Sequence, residues 1–104
     1  MERIAFRMKL YDGFADEYKN RHAEIWPELR ELLKASGVAD YSIFIEEDTN
    51  MLVGVFKATD TDALNRFPES EVMQRWWKHM SNIMLSNPDG SPVIWPLKEV
   101  FYLP

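Results

Sequence analysis

The residues best suited to chemistry are a tyrosine and a histidine, Tyr18 and His22, which lie four positions apart in a stretch of helical pattern. That spacing places both side chains on one face of a helix, one turn apart. The same face is otherwise apolar, so a phenol and an imidazole point inward, where burial costs free energy unless a partner is found. A neutral imidazole exchanges protons near pH 7, so His22 is a candidate acid–base catalyst. The apolar residues of this face are Phe14, Ile25, Leu29, Leu32 and Leu33.

A second interpretation of the same stretch needs no ligand. A histidine on the inner face of a helix also serves as a core residue whose ring nitrogen bonds a main-chain carbonyl. Pro27 lacks an N–H and pushes Trp26 away from helical geometry, so the helix is predicted to kink there or to restart with Pro27 in its first turn. A helix broken behind a pocket and an ordinary packing kink both fit this pattern.

Three more aromatic residues are candidates for ligand contacts. Trp76 and Trp77 are adjacent, so on a helix they point about 100° apart, and one packs inward while the other lines an edge or a cavity. Indole rings stack on the C–H-rich faces of sugars, and their N–H groups donate to hydroxyls; bulky core plus a dimer contact is the alternative. Tyr41 begins a predicted strand, from which its hydroxyl would reach a ligand. His79 is expected to be structural. An aromatic cavity with one imidazole suits a neutral polyhydroxylated ligand and proton transfer without a cofactor.

Composition argues against several other classes of function. The net charge is −5 and the basic residues are scattered, which disfavours nucleic acid and anionic membranes as partners. There is no cysteine, no HExxH motif and no glycine-rich phosphate loop, so we expect neither thiol chemistry nor a metal site. No stretch approaches the roughly 18 apolar residues of a membrane span, and the N-terminus does not resemble a signal peptide. We therefore expect a cytoplasmic protein.

The pattern of elements predicts a single ferredoxin-like domain spanning residues 1–104. Its length suits one compact domain, and its order is strand, helix, strand, strand, helix, strand. This is the βαββαβ order of an α+β fold, an antiparallel sheet with both helices on one face. The predicted strands are Arg3–Leu10, Tyr41–Glu47, Met51–Thr59 and Val100–Leu103, and the predicted helices run from about Phe14 to Ala35 and from about Glu71 to Met84, with a short helix before the latter that ends near Phe67-Pro68. Asp12, Ser70 and the stretch Thr59–Asp62 are predicted to cap helices.

The third predicted strand is apolar on both faces, and the second carries Phe44 opposite Ile43 and Ile45. Helices cover only one face of such a sheet, so the other face needs a second cover. An identical sheet from another copy would give a two-fold homodimer. The alternative is that Phe44 and Phe56 lie under loops.

The chain resembles the L-rhamnose mutarotases over nearly its whole length. The residues that carry the resemblance are His22 with Ile25-Trp26-Pro27-Glu28-Leu29, then Arg75-Trp76-Trp77, and the closing Val100-Phe101-Tyr102-Leu103-Pro104. The resemblance implies a dimeric α+β barrel that interconverts the α and β anomers of L-rhamnose without a cofactor. It matches His22 to the proton-donating histidine of the family, and Tyr18, Tyr41, Trp76 and Trp77 to its sugar-contacting residues.

Two other functions remain open from the residues themselves. Dimeric α+β barrels also include cofactor-free monooxygenases that act on aromatic or quinone-like substrates, and an aromatic pocket with one histidine suits these as well. A non-catalytic sugar-binding module is the other alternative. Fold alone does not choose among them.

Overall fold

Four strands form one antiparallel sheet in the order β2-β3-β1-β4. The computed structural model describes residues Met1–Pro104, with β1 at Glu2–Lys9, β2 at Val38–Glu46, β3 at Met51–Ala58 and β4 at Trp95–Leu97. β1 lies in the centre between β3 and β4, and β2 pairs with β3 at the edge. The strand order and the βαββαβ succession confirm the predicted ferredoxin-like α+β fold.

The first crossover is two helices rather than one continuous helix. α1 covers Ala15–Ala23 and α2 covers Pro27–Ala35. Trp26 has the extended torsion ψ of 132°, and Pro27 is the first residue of α2, as the missing proline N–H and the restriction on its neighbour require. The predicted restart at Pro27 is therefore confirmed, and the chain turns here behind His22.

The second crossover contains α3 at Thr61–Asn65, a 3-10 turn at Phe67–Glu69, and α4 at Glu71–Met80. Asp60 Oδ1 accepts hydrogen bonds from the N–H groups of Asp62 and Ala63, and Ser70 Oγ accepts from the N–H of Met73 at 3.4 Å, so both predicted caps are confirmed. α4 ends four residues earlier than predicted because Met84 pairs with Leu10 as an isolated bridge instead of continuing the helix.

The prediction that Asp12 caps the first helix is wrong. α1 begins at Ala15 after Phe14, and no side chain caps it. Gly13 has a φ of 86° and turns the chain between β1 and the helix. Because of this turn, Asp12 lies too far before the first helical N–H groups to accept from them.

One face of the sheet packs against the helices. On β1 and β3, Phe6 pairs with Gly54 and Met8 pairs with Leu52, so the alternation places these side chains on the same face as Phe56. They form a single buried cluster with the inner faces of the helices. The buried helical residues of this cluster are Tyr18, Leu29, Met73, Trp76 and Met80.

The opposite face of the sheet carries no helix. The register places Phe44 beside Val53 and Ala5 beside Val55 and Leu97 on this side. Phe44 is 63% exposed although it is a large apolar residue. We call this the open face and define it by Ala5, Phe44, Val53, Val55, Trp95 and Leu97.

The prediction of a final strand at Val100–Leu103 is wrong. The fourth strand is Trp95–Leu97, which pairs with Ala5–Arg7 on the free edge of β1. A strand needs a neighbouring strand to pair with as well as suitable residues. The edge of β1 that β3 leaves open is paired with residues 95–97, so it offers no partner to Val100–Leu103. Val100–Pro104 follow without regular structure and are exposed. The guanidinium of Arg3 lies over the ring of Tyr102 in this segment, with its carbon 4.3 Å from the ring centroid.

Candidate active site

A cavity of about 970 Å³ lies between the helix-covered face of the sheet and helices α1 and α4. Its walls are mainly apolar and aromatic, and its volume is at the upper end of the range for small-molecule pockets. The structure brings all five residues singled out from the sequence to this cavity: Tyr18, His22, Tyr41, Trp76 and Trp77.

His22 is held in one orientation by its neighbours on α1 and α4. The rings of Tyr18 and His22 stack with centroids 4.3 Å apart, as their spacing of one helical turn predicts. Trp76 meets the imidazole edge-on, with centroids 5.4 Å apart and an interplanar angle of 88°. Two aromatic rings therefore contact the imidazole, one on its face and one at its edge.

The hydrogen bond of the imidazole decides which nitrogen carries the proton in its neutral form. His22 Nδ1 lies 3.0 Å from the main-chain oxygen of Tyr18. A carbonyl oxygen only accepts, so Nδ1 is the donor and Nε2 keeps its lone pair. Burial lowers the pKa of His22 from its ordinary value, and the bond to Tyr18 opposes that effect only in part. The ring is therefore neutral near pH 7 with a basic Nε2.

Several polar atoms around the cavity have no partner within the chain. The hydroxyl of Tyr18, Nε2 of His22 and the indole nitrogens of Trp76 and Trp77 make no intramolecular hydrogen bond, yet no buried side-chain nitrogen or oxygen is left unpaired. These four atoms must therefore be accessible. The core interpretation of His22 is right for Nδ1, which bonds main chain, but Nε2 is free to meet a ligand.

Tyr41 reaches the cavity from the sheet, opposite the helices. Its ring packs against Phe56 and Phe6, with centroids 5.1 and 6.4 Å away. Desolvation raises the pKa of Tyr41 to about 12, although 39% of the side chain stays accessible. Both facts describe a phenol on the wall of a cavity, where the surrounding protein excludes much of the bulk water. The hydroxyl is thus a hydrogen-bond donor throughout the physiological pH range.

Tyr18 behaves in the same way from the helical side. Burial raises its pKa, and repulsion from a charged Tyr41 raises it further. Both phenols line the same cavity. Two protonated hydroxyls thus border the space beside the imidazole.

The two tryptophans take different positions, as their adjacent places on a helix predict. Trp76 is buried in the core cluster and contacts His22, whereas Trp77 is half-buried at the side of the cavity. His79, on the same helix, is exposed and does not line the cavity, and its ring packs against Trp76 with centroids 5.7 Å apart.

Some residues of this site were not singled out from the sequence. Trp26 packs edge-on against Trp76 with centroids 5.2 Å apart, and Arg21 bonds the main-chain oxygen of His79. The proline after Trp26 marks that position in the sequence, whereas nothing in the sequence marks Arg21. Polar residues at the cavity were also missed; they are Asp16, Lys19, Glu47 and Ser86.

The chain lacks the features of a metal site and of a membrane-spanning segment. No three His, Asp or Glu side chains lie close enough together to hold a metal ion. None of the helices combines the length and the apolar character that a membrane-spanning segment requires.

Comparisons with known proteins agree with the geometry. The family model for L-rhamnose mutarotase matches residues 3–103. An L-rhamnose mutarotase of Listeria monocytogenes is 52% identical over 103 residues, which are 99% of each chain. One of Agrobacterium fabrum is 51% identical over 104 residues, covering 100% of this chain and 97% of the relative.

Solved structures agree with the family model. The crystal structure of an L-rhamnose mutarotase from Formosa agariphila superposes with a TM-score of 0.94 at 47% identity, covering 100% of both chains. An antibiotic biosynthesis monooxygenase superposes with a TM-score of 0.62 at 13% identity, which shows the shared fold alone. The chain belongs to the L-rhamnose mutarotase family.

Proposed function

We propose that the protein is an L-rhamnose mutarotase, an isomerase that interconverts the α and β anomers of the sugar in the cavity beside His22. Membership of the family supports the substrate. The observation that carries the chemistry is the neutral imidazole of His22, whose accessible Nε2 faces no partner within the chain. A proton acceptor set among aromatic rings and two phenols suits a small neutral sugar.

Mutarotation opens the sugar ring and closes it again on the other face of the carbonyl. On opening, the anomeric hydroxyl loses a proton, its oxygen forms the carbonyl with C1, the bond from C1 to the ring oxygen breaks, and the ring oxygen gains a proton. Closure reverses each change. Only protons move between the sugar and its surroundings, so the proposed reaction needs no cofactor.

His22 is the proposed proton carrier. Its lone pair on Nε2 takes the proton of the anomeric hydroxyl during opening, and the resulting imidazolium gives a proton back during closure. The bond from Nδ1–H to the main-chain oxygen of Tyr18 fixes the tautomer and supports the positive charge when it forms. The same group thus acts as base in one direction and as acid in the other.

The aromatic residues have proposed roles in holding the sugar. Tyr18 and Tyr41 stay protonated, because burial raises the pKa of both, so their hydroxyls donate hydrogen bonds to sugar oxygens. A water supplies the proton that the ring oxygen gains, and that water is reprotonated from the solvent. Trp76 and Trp77 offer apolar faces and free indole N–H groups, which match the C–H and hydroxyl surfaces of a sugar.

Saturation-transfer NMR between the two anomeric protons of L-rhamnose tests the function. The wild-type protein should accelerate exchange above the solution rate. His22→Gln should lose about 10²–10⁴-fold of that acceleration, the usual contribution of one acid–base group. His79→Gln is the matched control, since His79 is exposed and does not line the cavity; because its ring packs against Trp76, the variant should keep most but not all of the acceleration.

Two results would contradict the proposal. A wild-type protein that quenches tryptophan fluorescence on adding L-rhamnose but does not speed exchange would be a sugar-binding module. A fully active His22→Gln variant would remove His22 from the mechanism.

A panel of other monosaccharides, scored in the same experiment, measures how strictly the cavity selects L-rhamnose.

We also propose that two copies of the chain associate as a homodimer through the open face. Phe44 on this face is 63% exposed, and Phe101 and Leu103 in the C-terminal segment beyond it are each 77% exposed. Large exposed apolar side chains grouped on one side of a fold are typical of protein interfaces. The ring of Tyr102 stacks with Arg3, which the register places on the same side of the sheet as Ala5, so the C-terminal segment adjoins the open face.

A further inference from the structure

The edge strand β2 has a bulge directly before Tyr41. Val38 pairs with Ala58 and Ala39 with Lys57, but the next regular pair joins Ser42 to Val55. Two residues of β2, Asp40 and Tyr41, therefore face one residue of β3, Phe56. An extra residue of this kind bends its strand and increases the local twist.

The backbone of Asp40 is held in an uncommon conformation. Its φ is 50°, in the left-handed region that favours glycine, and only Asn50 shares this property among the non-glycine residues. Aspartate and asparagine tolerate this region better than most side chains do. The carboxylate of Asp40 lies 3.4 Å from the ammonium of Lys57 on the neighbouring strand, which ties the bulge to β3.

The contacts of Tyr41 show what the bulge does to the next side chain. In a regular ladder Tyr41 would stand opposite Phe56, its partner on β3. Its ring contacts Phe56 and also meets Phe6, two strands away on β1, edge-on with ring centroids 6.4 Å apart. Phe6 pairs with Gly54, so it lies diagonally from Tyr41 across the sheet. The ring of Phe6 lies over Gly54 on β3, so the Tyr41 phenol meets it above that strand, on the wall of the cavity.

We propose that Asp40 is a positioning residue, whose left-handed bulge aims the Tyr41 phenol across the sheet into the cavity. Asp40 itself is exposed and does not line the cavity, so it acts only through Tyr41. The left-handed backbone at this bulge costs free energy for a non-glycine residue, and the bulge lies next to a cavity wall. Bulges of this kind typically serve a function in the fold.

Deletion of Asp40 is the sharpest test because it restores a regular ladder without changing any other pair. Ala39, Tyr41 and Ser42 would then face Lys57, Phe56 and Val55 in order, so the fold should be kept. The proposal expects KM for L-rhamnose to rise about tenfold with a smaller change in kcat, the pattern of a lost binding contact. Asp40→Gly, which keeps the left-handed bulge, should stay close to wild type.

Three controls separate aiming from general damage. Tyr41→Phe alone should raise KM, and adding the Asp40 deletion to it should raise KM little further, because the bulge acts through the hydroxyl of Tyr41. Asn50→Val strains the other left-handed residue, at the hairpin end of the same strand, and should lower stability without changing KM. Asp40→Val should both lower stability and raise KM.

A second readout does not depend on the substrate, since the KM test rests on the proposed function. NMR cross-peaks between the rings of Tyr41 and Phe6 should be present in the wild type and in Asp40→Gly, and weak or lost in the deletion, while those between Tyr41 and Phe56 remain. Unchanged cross-peaks to Phe6 in a folded deletion variant overturn the proposal. So do additive KM effects in the double variant. A wild-type protein inactive on L-rhamnose would contradict the function alone, and the cross-peaks would still decide the role of Asp40.

Discussion

The guanidinium of Arg21 donates a hydrogen bond of 2.7 Å from Nη1 to the main-chain oxygen of His79. Arg21 lies one residue before His22 on α1, and His79 lies two residues after Trp77 on α4. The carbonyl of His79 is one of the last four of its helix, which have no helical partner, and the negative end of the helix dipole favours a cation there. This contact joins the two helices that carry the imidazole and the tryptophans.

Arg21→Ala should therefore loosen the site as well as the fold. Arg21 also donates to Asn82 Oδ1 at 3.0 Å and to Glu17 Oε1 at 2.9 Å, and its side chain is only 14% exposed. Loss of charged hydrogen bonds of this kind should lower the free energy of unfolding by about 2 kcal/mol, measured by urea denaturation. The rate of anomer exchange should fall too, because His22 and Trp76 lose their fixed separation.

Glu17→Ala and Arg21→Lys are the matched controls for this effect. Glu17→Ala removes only the exposed pair within α1, so its cost should stay under about 0.5 kcal/mol. Arg21→Lys keeps the charge but loses the fork that reaches two acceptors, and should fall between the other two. Equal costs for Arg21→Ala and Glu17→Ala would show that the contact between the helices contributes nothing.

Replacement of Gly54 is predicted to destabilise the fold because the ring of Phe6 lies directly over it. A Cβ at position 54 would lie 2.8 Å from Cε1 of Phe6, inside the range that real contacts avoid. Gly54→Ala should therefore displace a ring that is 8% exposed and that supports Tyr41. We expect a loss of about 1–3 kcal/mol in the free energy of unfolding, measured by thermal or urea denaturation.

The double variant of Gly54 and Phe6 checks the reason for that loss. Combined with Phe6→Leu, the alanine should cost less than it does alone, because a smaller side chain makes room for the new methyl group. A thermodynamic cycle over the two positions gives the coupling directly. Additive costs would mean that the clash with Phe6 is not the cause.

Local spacing was enough to predict the helical half of the site. Tyr18 and His22 are one turn apart, so their stacking follows from helix geometry alone, and adjacent positions on α4 separate Trp76 from Trp77. The first three strands followed from alternation and turn residues. Features that depend on a few consecutive residues are visible in a sequence.

Features that depend on distant partners were not visible. Arg21 and His79 are 58 residues apart and meet through a main-chain oxygen, which no residue type announces. The strand at 95–97 was missed because its role is set by the free edge of β1, whereas the more apolar Val100–Leu103 found no edge. The bulge at Asp40 depends on the register between two strands, and aspartate at that position gave no sign of it.

The stability of the protein should depend on pH through His22. Burial holds the pKa of the folded imidazole below the ordinary value of 6.5. In the window between the two values the unfolded chain binds a proton that the folded chain does not, so the free energy of unfolding rises with pH. That contribution is complete above pH 6.5 and is lost as the pH falls toward the pKa of the folded state.

Urea denaturation at pH 7.5 and 5.5 measures this term when the wild type is compared with His22→Gln. The other titrating groups are common to both proteins, so the wild type should lose more stability on acidification than the variant does. The same pH dependence in the wild type and His22→Gln would mean that burial of the imidazole does not oppose its protonation.

The proposed homodimer predicts that a charge on the open face will separate the copies. Phe44→Glu would place a carboxylate between two apolar sheets, where an unpaired charge costs several kcal/mol. We expect sedimentation velocity to show a dimer for the wild type and a monomer for this variant. Tyr11→Glu is the control, since Tyr11 is also an exposed aromatic residue, at 42%, but lies beyond the end of β1 and is not one of the residues that define the open face. Deletion of residues 100–104 should weaken the dimer as well, because their apolar side chains are exposed in the single chain. A Phe44→Glu variant that sediments as the wild-type dimer would place the interface elsewhere.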